Sequence, residues 1–261
     1  MQALSWRDRA VRDALRHIRQ NKPFCYGLTN YIAANLSANV LLAVGAGPAI
    51  GAALDWQQAF GSHASAVWIN AACLMSNTPH EVRQAARAAH EAGVPWVLDP
   101  VAVGAGASEY DRVVQGLLDF RPTAIRGNAS ELIALAGGKG GGKGVETTLT
   151  SQDALPFIDD FSRRLGCITA VSGPVDFITD GRETLAVEGG DIRLTQVTGA
   201  GCSLGALTAA LLSTPADPLT AVAAAHVFYA EASQRASSAR GTGSFAIQFL
   251  DELSLLDADE A

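Results

Sequence analysis

The stretch Val197-Thr198-Gly199-Ala200-Gly201-Cys202-Ser203-Leu204-Gly205-Ala206 turns a strand-like run into a long apolar helix through Gly199 and Gly201. The first turn of a helix leaves its amides without intrahelical partners and carries the positive end of the macrodipole. A small-residue loop there makes an anion site, with phosphate the obvious guest. Cys202 stands just behind these glycines, where the same field stabilises a thiolate and lowers its pKa from the free value of about 8.5. The plainer reading of such a cysteine is a small, buried, inert side chain. The rest of the chain decides between them.

Working outward, Arg193–Gln196 reads as the strand entering this motif, and Gly201–Leu212 as the helix leaving it. Upstream, the same rhythm repeats. Phe24–Leu28 is a short buried strand running into Thr29-Asn30, followed by the small-residue helix Ala33–Val44, which Gly45-Ala46-Gly47-Pro48 closes. Ala66–Ile69 is a strand ending on Asn70. Pro79–Ala92 is a helix, and Val94–Leu98 a strand ending on Asp99-Pro100. Tyr110–Leu118 is a helix. Thr123–Ile125 leads through Arg126-Gly127-Asn128 into the helix Ala129–Ala136. Ser151–Leu165 is a helix and Cys167–Val171 a buried strand. Asp176–Thr179 and Glu183–Val187 pair as a hairpin around Asp180-Gly181, and Pro218–Ser237 and Phe245–Leu255 complete the helices. At the N-terminus, residues 5–20 read as an amphipathic helix, with Leu4, Val11, Leu15 and Ile18 forming one apolar stripe. Strands alternating with helices in this way predict an α/β fold, a mostly parallel central sheet with helices on both faces and an antiparallel addition.

Composition narrows the class of function. With 261 residues, 48% of them hydrophobic, the chain is expected to form a single domain spanning 1–261. A net charge of −7 argues against nucleic-acid binding and for small-molecule chemistry. Cys25, Cys73, Cys167 and Cys202 form no C-x-x-C pair, which sets aside a zinc ribbon or dithiol motif and points to the cytoplasm. Charges throughout residues 1–20 exclude the apolar core of a signal peptide. The Ala-rich stretch 206–232 is the nearest approach to the ~20-residue apolar run of a membrane span. It is interrupted by Ser213, Pro215, Asp217, His226 and Glu231, so no membrane association is expected.

In open α/β sheets ligands bind beyond the carboxyl ends of the strands. That rule selects Asn30, Asn70, Asp99, Arg126 with Asn128, Ser172 and the 198–202 turn. Singly, each has an ordinary explanation as a cap or turn residue; six polar strand ends on one edge are harder to dismiss. Asn128-Ala129-Ser130-Glu131 matches a capping box, the structural reading of Glu131. The functional reading is that Glu131 and Asp99 hold Mg²⁺ beside a nucleotide's phosphates. The Gly137–Gly144 segment imitates part of a Walker A loop. However, Gly144 stands where Ser or Thr should be, and the segment follows a helix instead of a strand, so it reads as a mobile surface loop. His17, His63, His80, His90 and His226 lack metal-ligand spacing and read as surface or packing residues.

Assembled, these residues resemble the hydroxyethylthiazole kinase family, whose fold is ribokinase-like, over nearly the whole chain. The resemblance is carried by Thr29-Asn30-Tyr31, Asn35, Ala38-Asn39-Val40-Leu41-Leu42-Ala43, Gly45-Ala46 with Pro48 and Leu98-Asp99-Pro100-Val101. Further on it rests on Ala124-Ile125-Arg126-Gly127-Asn128 with Glu131, Gly173 with Val175-Asp176, Val197–Cys202 and Gly243-Ser244-Phe245. It implies ATP-dependent phosphorylation of the hydroxyethyl group of 4-methyl-5-(2-hydroxyethyl)thiazole, in thiamine salvage, with Mg²⁺ and by a homotrimer with active sites at subunit boundaries. It further implies that Arg126, Ser172 and Gly201 meet ATP and that Asp99 and Glu131 serve the Mg²⁺–phosphate region. Gly199, Ile50 and Asn30 would form the thiazole side. Cys202 occupies the position of an aspartate base in sugar kinases of this fold, and as thiolate it would accept the alcohol proton late in transfer; the alternative is that it only shapes the site. Four departures stand out: Tyr26 where the family usually has His, Ile50 for Met, Ser172 for Thr, and Ala71-Ala72-Cys73 for Ile-Gly-Thr. Competing readings are another small-alcohol kinase of this fold, a nucleotide-dependent lyase on the same scaffold, a silent nucleotide-binding module and, last, a cysteine hydrolase.

Overall fold

The computed structural model describes residues 1–138 and 149–260. Its elements run β1 (Gln2–Ala3), α1 (Arg9–Asn21), β2 (Phe24–Leu28), α2 (Ala34–Val44), β3 (Gly47–Ile50), α3 (Trp56–His63), β4 (Ala66–Asn70), α4 (Pro79–Ala92), β5 (Trp96–Asp99), α5 (Ser108–Gln115), β6 (Ala124–Asn128) and α6 (Ala129–Leu135). They continue with α7 (Ser151–Leu165), β7 (Ile168–Ser172), β8 (Val175–Thr179), β9 (Thr184–Glu188), α8 (Ala200–Leu212), α9 (Pro218–Arg235) and α10 (Thr242–Leu255).

One nine-stranded sheet has the order β1-β9-β8-β7-β6-β5-β4-β2-β3. From β3 to β7 every pairing is parallel, and β7-β8-β9 is an antiparallel meander. The expected architecture is therefore present. Buried clusters lie on both sides of the sheet, one around α1, α2, α8, α9 and α10, the other around α4, α6 and α7. The strands read as continuous apolar runs because helices cover both faces. Parallel order also puts the carboxyl ends of β2 to β7 on one edge. Register aligns two pairs of strand ends there: Asn70 sits opposite Asp99, and Asn128 opposite Ser172.

Several boundaries follow local chemistry. Pro79 occupies the first turn of α4 behind a capping box in which the Thr78 hydroxyl accepts from the Glu81 amide and Glu81 accepts from the Thr78 amide. Gly93, at φ +69°, ends that helix. Gly27 pairs with Trp68 on one side and Ile50 on the other, and the Trp68 indole fills the space a side chain at 27 would need.

Three expectations are corrected. The run Arg193–Gln196 is not a strand: Ile192–Gln196 is a 3-10 turn capped by Asp191, whose carboxylate accepts from the Arg193 amide at 2.9 Å. The motif is thus entered from a tight turn. Gly47-Pro48 does not merely close α2, because Gly47–Ile50 forms edge strand β3, where proline's missing N–H faces away from the ladder. Helix α3 has no counterpart in the periodicity reading, and α1 begins at Arg9, later than the expected residue 5. Residues 139–144 of the glycine-rich segment lie outside the described residues.

Candidate active site

The carboxyl edge of the sheet meets the start of α8, and Arg126 joins the two. Its Nη1 donates to Asp99 Oδ2 at 3.0 Å and to the Gly201 carbonyl at 2.7 Å, while Nη2 donates to Ser172 Oγ at 2.8 Å. One planar guanidinium therefore ties β5, β6, β7 and α8 together, a use that suits its fixed fork of donors. Arg126 is 6% exposed and Asp99 2%. Burial opposes the charge on Arg126, but Asp99 and Glu131 outweigh it and hold its pKa above the ordinary value. Burial pushes the Asp99 carboxyl up to about 7, with Arg126 opposing the rise and Glu131 adding to it.

Close approach of α8 depends on small residues. A Cβ at Gly205 would stand 3.4 Å from Asp99 Oδ2. Gly199 caps the helix at φ +86°, and a Cβ there would lie 3.1 Å from the Ala33 backbone. Only glycine takes this left-handed, crowded position without strain. The Ser203 hydroxyl bonds back to the Gly199 carbonyl at 2.9 Å and meets the buried Tyr229 hydroxyl at 2.6 Å, bracing the turn from below. Among the described residues no backbone acceptor takes the Gly201 or Cys202 amide, so the turn presents its donors as the sequence implied.

Cys202 lies beside Asn30, whose Nδ2 approaches its Sγ at 3.7 Å while Asn30 Oδ1 accepts from the Ala33 amide at 2.9 Å. The expected thiolate field is not what dominates. Burial raises the Cys202 pKa first and Asp99 raises it further, against the lowering influence of Asn70, Arg126 and Asn30. Helix-terminus reasoning saw the dipole but not the carboxylate that strand β5 brings beside it.

Glu131 takes the capping role weighed for it and a second backbone bond besides. Its Oε2 accepts from the Asn128 amide at 2.9 Å, completing the capping box, and its Oε1 accepts from the Ala102 amide at 3.0 Å. Burial raises its pKa, with those two amides opposing. It thereby fixes the loop after β5 next to Asp99. Ile50 ends β3, half-buried, beside Gly27. Of the sequence-selected residues, Asp99, Arg126, Ser172 and Gly201 form one bonded cluster, Asn30, Gly199 and Cys202 a second next to it, and Ile50 lies farther along the edge.

Two further contributors went unassigned in the sequence reading. Asn70 Nδ2 donates to Asp99 Oδ2 at 3.3 Å while its Oδ1 accepts from the Ala72 amide at 3.1 Å; its strand-end position was the available signal. The Tyr26 hydroxyl donates to the Gly51 carbonyl at 2.9 Å, fixing the residue after Ile50, and no local pattern reveals that cross-strand contact. No helix among the described residues is long and apolar enough to cross a membrane.

The mostly parallel sheet, its polar strand ends gathered around a helix N-terminus, has the ribokinase-like α/β fold. It superposes on a ribokinase-like superfamily protein from Enterococcus faecalis with a TM-score of 0.65 at 12% identity, covering 99% of this chain and 97% of that one. A finer match follows: the sequence model of the Hydroxyethylthiazole kinase family matches residues 15–259, and the chain belongs to that family. The hydroxyethylthiazole kinase of Burkholderia pseudomallei strain 668 is 62% identical over 261 residues, spanning 100% of this chain and 95% of that protein. The solved hydroxyethylthiazole kinase protein from Pyrococcus horikoshii OT3 gives a TM-score of 0.84 at 32% identity, covering 95% of this chain and 93% of that one.

Proposed function

We propose that this chain, acting as one domain in the cytoplasm, transfers the terminal phosphoryl group of ATP to the hydroxyl of 4-methyl-5-(2-hydroxyethyl)thiazole, the salvage step that returns the thiazole to thiamine synthesis. Within the family resemblance, the observation that carries the reading is the Arg126 clamp. One buried guanidinium joins an acidic strand end (Asp99), a hydroxyl strand end (Ser172) and the amide-bearing turn of α8 (Gly201).

Phosphoryl transfer depends on positioning and charge neutralisation far more than on covalent help from the protein. Arg126 and Ser172 orient the nucleotide's phosphates, and the Gly201 and Cys202 amides face the charge that develops on the transferred group. Asn30, Ile50 and Gly199 hold the thiazole alcohol. Asp99 and Glu131 are the residues to hold Mg²⁺. Asp99 Oδ1 is buried with no partner among the described residues, and each Glu131 oxygen has capacity beyond the amide it accepts from. An ion held by two carboxylates would complete its shell with phosphate oxygens and water. When bound with ATP, Mg²⁺ neutralises phosphate charge. Cys202 faces the alcohol. With burial and Asp99 holding its thiol protonated, it works by placing the alcohol oxygen instead of serving as a strong base.

We also propose a homotrimer with the site at a subunit boundary. Tyr31, Ile32 and Leu54, 65%, 53% and 96% exposed, adjoin Asn30 and Ile50 in sequence and offer an apolar rim to a neighbouring copy. Native mass measurement reads the assembly directly, and a monomer at working concentration defeats that part. For the reaction, ADP release from Mg-ATP is measured with hydroxyethylthiazole, pyridoxal, hydroxymethylpyrimidine or ribose. Release that depends on the thiazole, with the phosphorylated thiazole identified by mass, is the expected result. Release with another alcohol alone reassigns the pocket around Ile50 and Ala71–Cys73.

A further inference from the structure

His226 on α9 and Asp176 on β8 belong to no step described so far, yet they are bonded to each other. The His226 side chain is fully buried, and its Nδ1–H donates to Asp176 Oδ2 at 2.6 Å. A histidine in this position is not explained by packing. Its Nε2 is buried without a partner among the described residues, a cost an aliphatic side chain would avoid. What the pair holds is the β7–β8 turn. Asp176 Oδ1 accepts from the Gly173 amide at 2.7 Å, and Gly173 directly follows Ser172.

The turn is gripped from its other side as well. Ser151 Oγ at the start of α7 donates to the Val175 carbonyl at 2.6 Å, and a Cβ at Gly173 would come within 2.5 Å of that same Ser151 Oγ. Residues 172–176 are therefore pressed against α7 and tied back to α9. Among the described residues, the one outward bond of Ser172 Oγ is with Arg126 Nη2. Bonded contacts thus run from His226 through Asp176, the Gly173 amide and Ser172 to Arg126, and end at Asp99 and the Gly201 carbonyl.

We infer that His226 and Asp176 are positioning residues for the nucleotide side of the site: they fix the β7–β8 turn so that Ser172, and through it the Arg126 guanidinium, stands in register with the start of α8. The inference rests on the proposed assignment of Ser172 to ATP. Asp176 acts through an acceptor oxygen, which an amide also supplies, so its negative charge is not the essential property. His226 acts by orienting that carboxylate.

Steady-state kinetics with ATP and the thiazole alcohol varied separately test this, on the full chain carrying Asp176→Ala, Asp176→Asn, His226→Gln or Ser172→Ala. Loss of a positioning hydrogen bond is expected to raise KM for ATP about threefold to tenfold in Asp176→Ala. KM for the alcohol should stay within twofold by that same scale. Asp176→Asn, which keeps an acceptor for the Gly173 amide, should recover most of the loss, and His226→Gln should fall between the two. A merely structural pair would lower Tm and the active fraction while leaving both KM values unchanged, and that result overturns the inference. If Ser172→Ala raises KM for ATP and Asp176→Ala does not, the turn clamp is wrong while the site assignment stands. If Ser172→Ala itself leaves KM for ATP unchanged, the assignment falls and takes the inference with it. Should Asp176→Ala fail to fold, His226→Gln gives the same readout: an unchanged KM for ATP in that variant overturns the proposal.

Discussion

The two halves of the carboxyl edge are built differently. On the proposed nucleotide side, Asp99, Arg126 and Ser172 are buried or half-buried and cross-bonded with one another and with the backbone of exposed Gly201, so that each polar group is held by at least one other element. On the proposed alcohol side, buried Asn30 accepts from the nearby Ala33 amide but reaches Cys202 only at 3.7 Å, Ile50 ends an edge strand, and Tyr31, Ile32 and Leu54 stand exposed. A triphosphate looks the same to every kinase and is best met by a rigid, charged frame. The alcohol distinguishes one kinase from another, and its side is framed by few bonds and by side chains that can change without disturbing the frame. Mutations should therefore separate: nucleotide-side changes cost stability and catalysis together, while alcohol-side changes shift preference alone.

The strongest test of that contrast is Arg126→Ala. It leaves Asp99 buried without its cation, a loss of the order of 3–5 kcal/mol in a buried pair, and on the proposed assignment removes a donor to the nucleotide's phosphates, about 10²–10³ in rate. Both Tm and kcat/KM should fall; an unchanged Tm breaks the comparison. Ile50→Ala comes next. It should raise KM for the thiazole alcohol roughly tenfold, the scale of lost apolar pocket contacts, with KM for ATP and Tm little moved. Tyr26→Phe should have a smaller effect on the same parameter, about threefold, because it removes one hydrogen bond to the Gly51 carbonyl and no packing volume. The smallest effect concerns reactivity and not turnover. Because Cys202 is raised, less of it is thiolate near neutral pH, so alkylation should be slower than for a free thiol and keep rising past the pH of about 8.5 at which a free cysteine is half ionised. Alkylation at Cys202 faster than a free thiol would restore the thiolate reading.

Legibility in the sequence follows the same division. The strands and helices that carry the nucleotide side were readable because each is an apolar run or amphipathic stretch ending on a polar residue, and parallel order turns such ends into one edge. Ser151–Leu165 and Pro79–Ala92 were delimited by their caps. Edge strand β3 was hidden because Gly47-Pro48 punctuates like a loop, and a proline is tolerated only where the ladder has no neighbour. Arg193–Gln196 reads as a strand where the chain makes the turn Ile192–Gln196, because four residues are too few to distinguish alternation from a tight turn. The direction of the Cys202 shift was lost for a different reason: a helix dipole is local and visible in sequence, whereas the desolvation and the Asp99 charge that outweigh it arrive from elsewhere in the chain. His226 shows the same limit, since its partner lies 50 residues away on another element.

Trp68 carries a consequence of its own. Its indole lies over Gly27, on the strand that ends in Asn70 and against the strand that leads to Asn30, with its ring nitrogen buried and without a partner among the described residues. An indole in so dry a place emits toward the blue, and any loosening of β2 from β4 admits water to it. With Trp6, Trp56 and Trp96 replaced by phenylalanine, the proposed alcohol side therefore carries its own optical gauge: a red shift in the remaining emission reports the parting of those two strands, and a site that stays blue while turnover is lost has failed in its chemistry and not in its architecture.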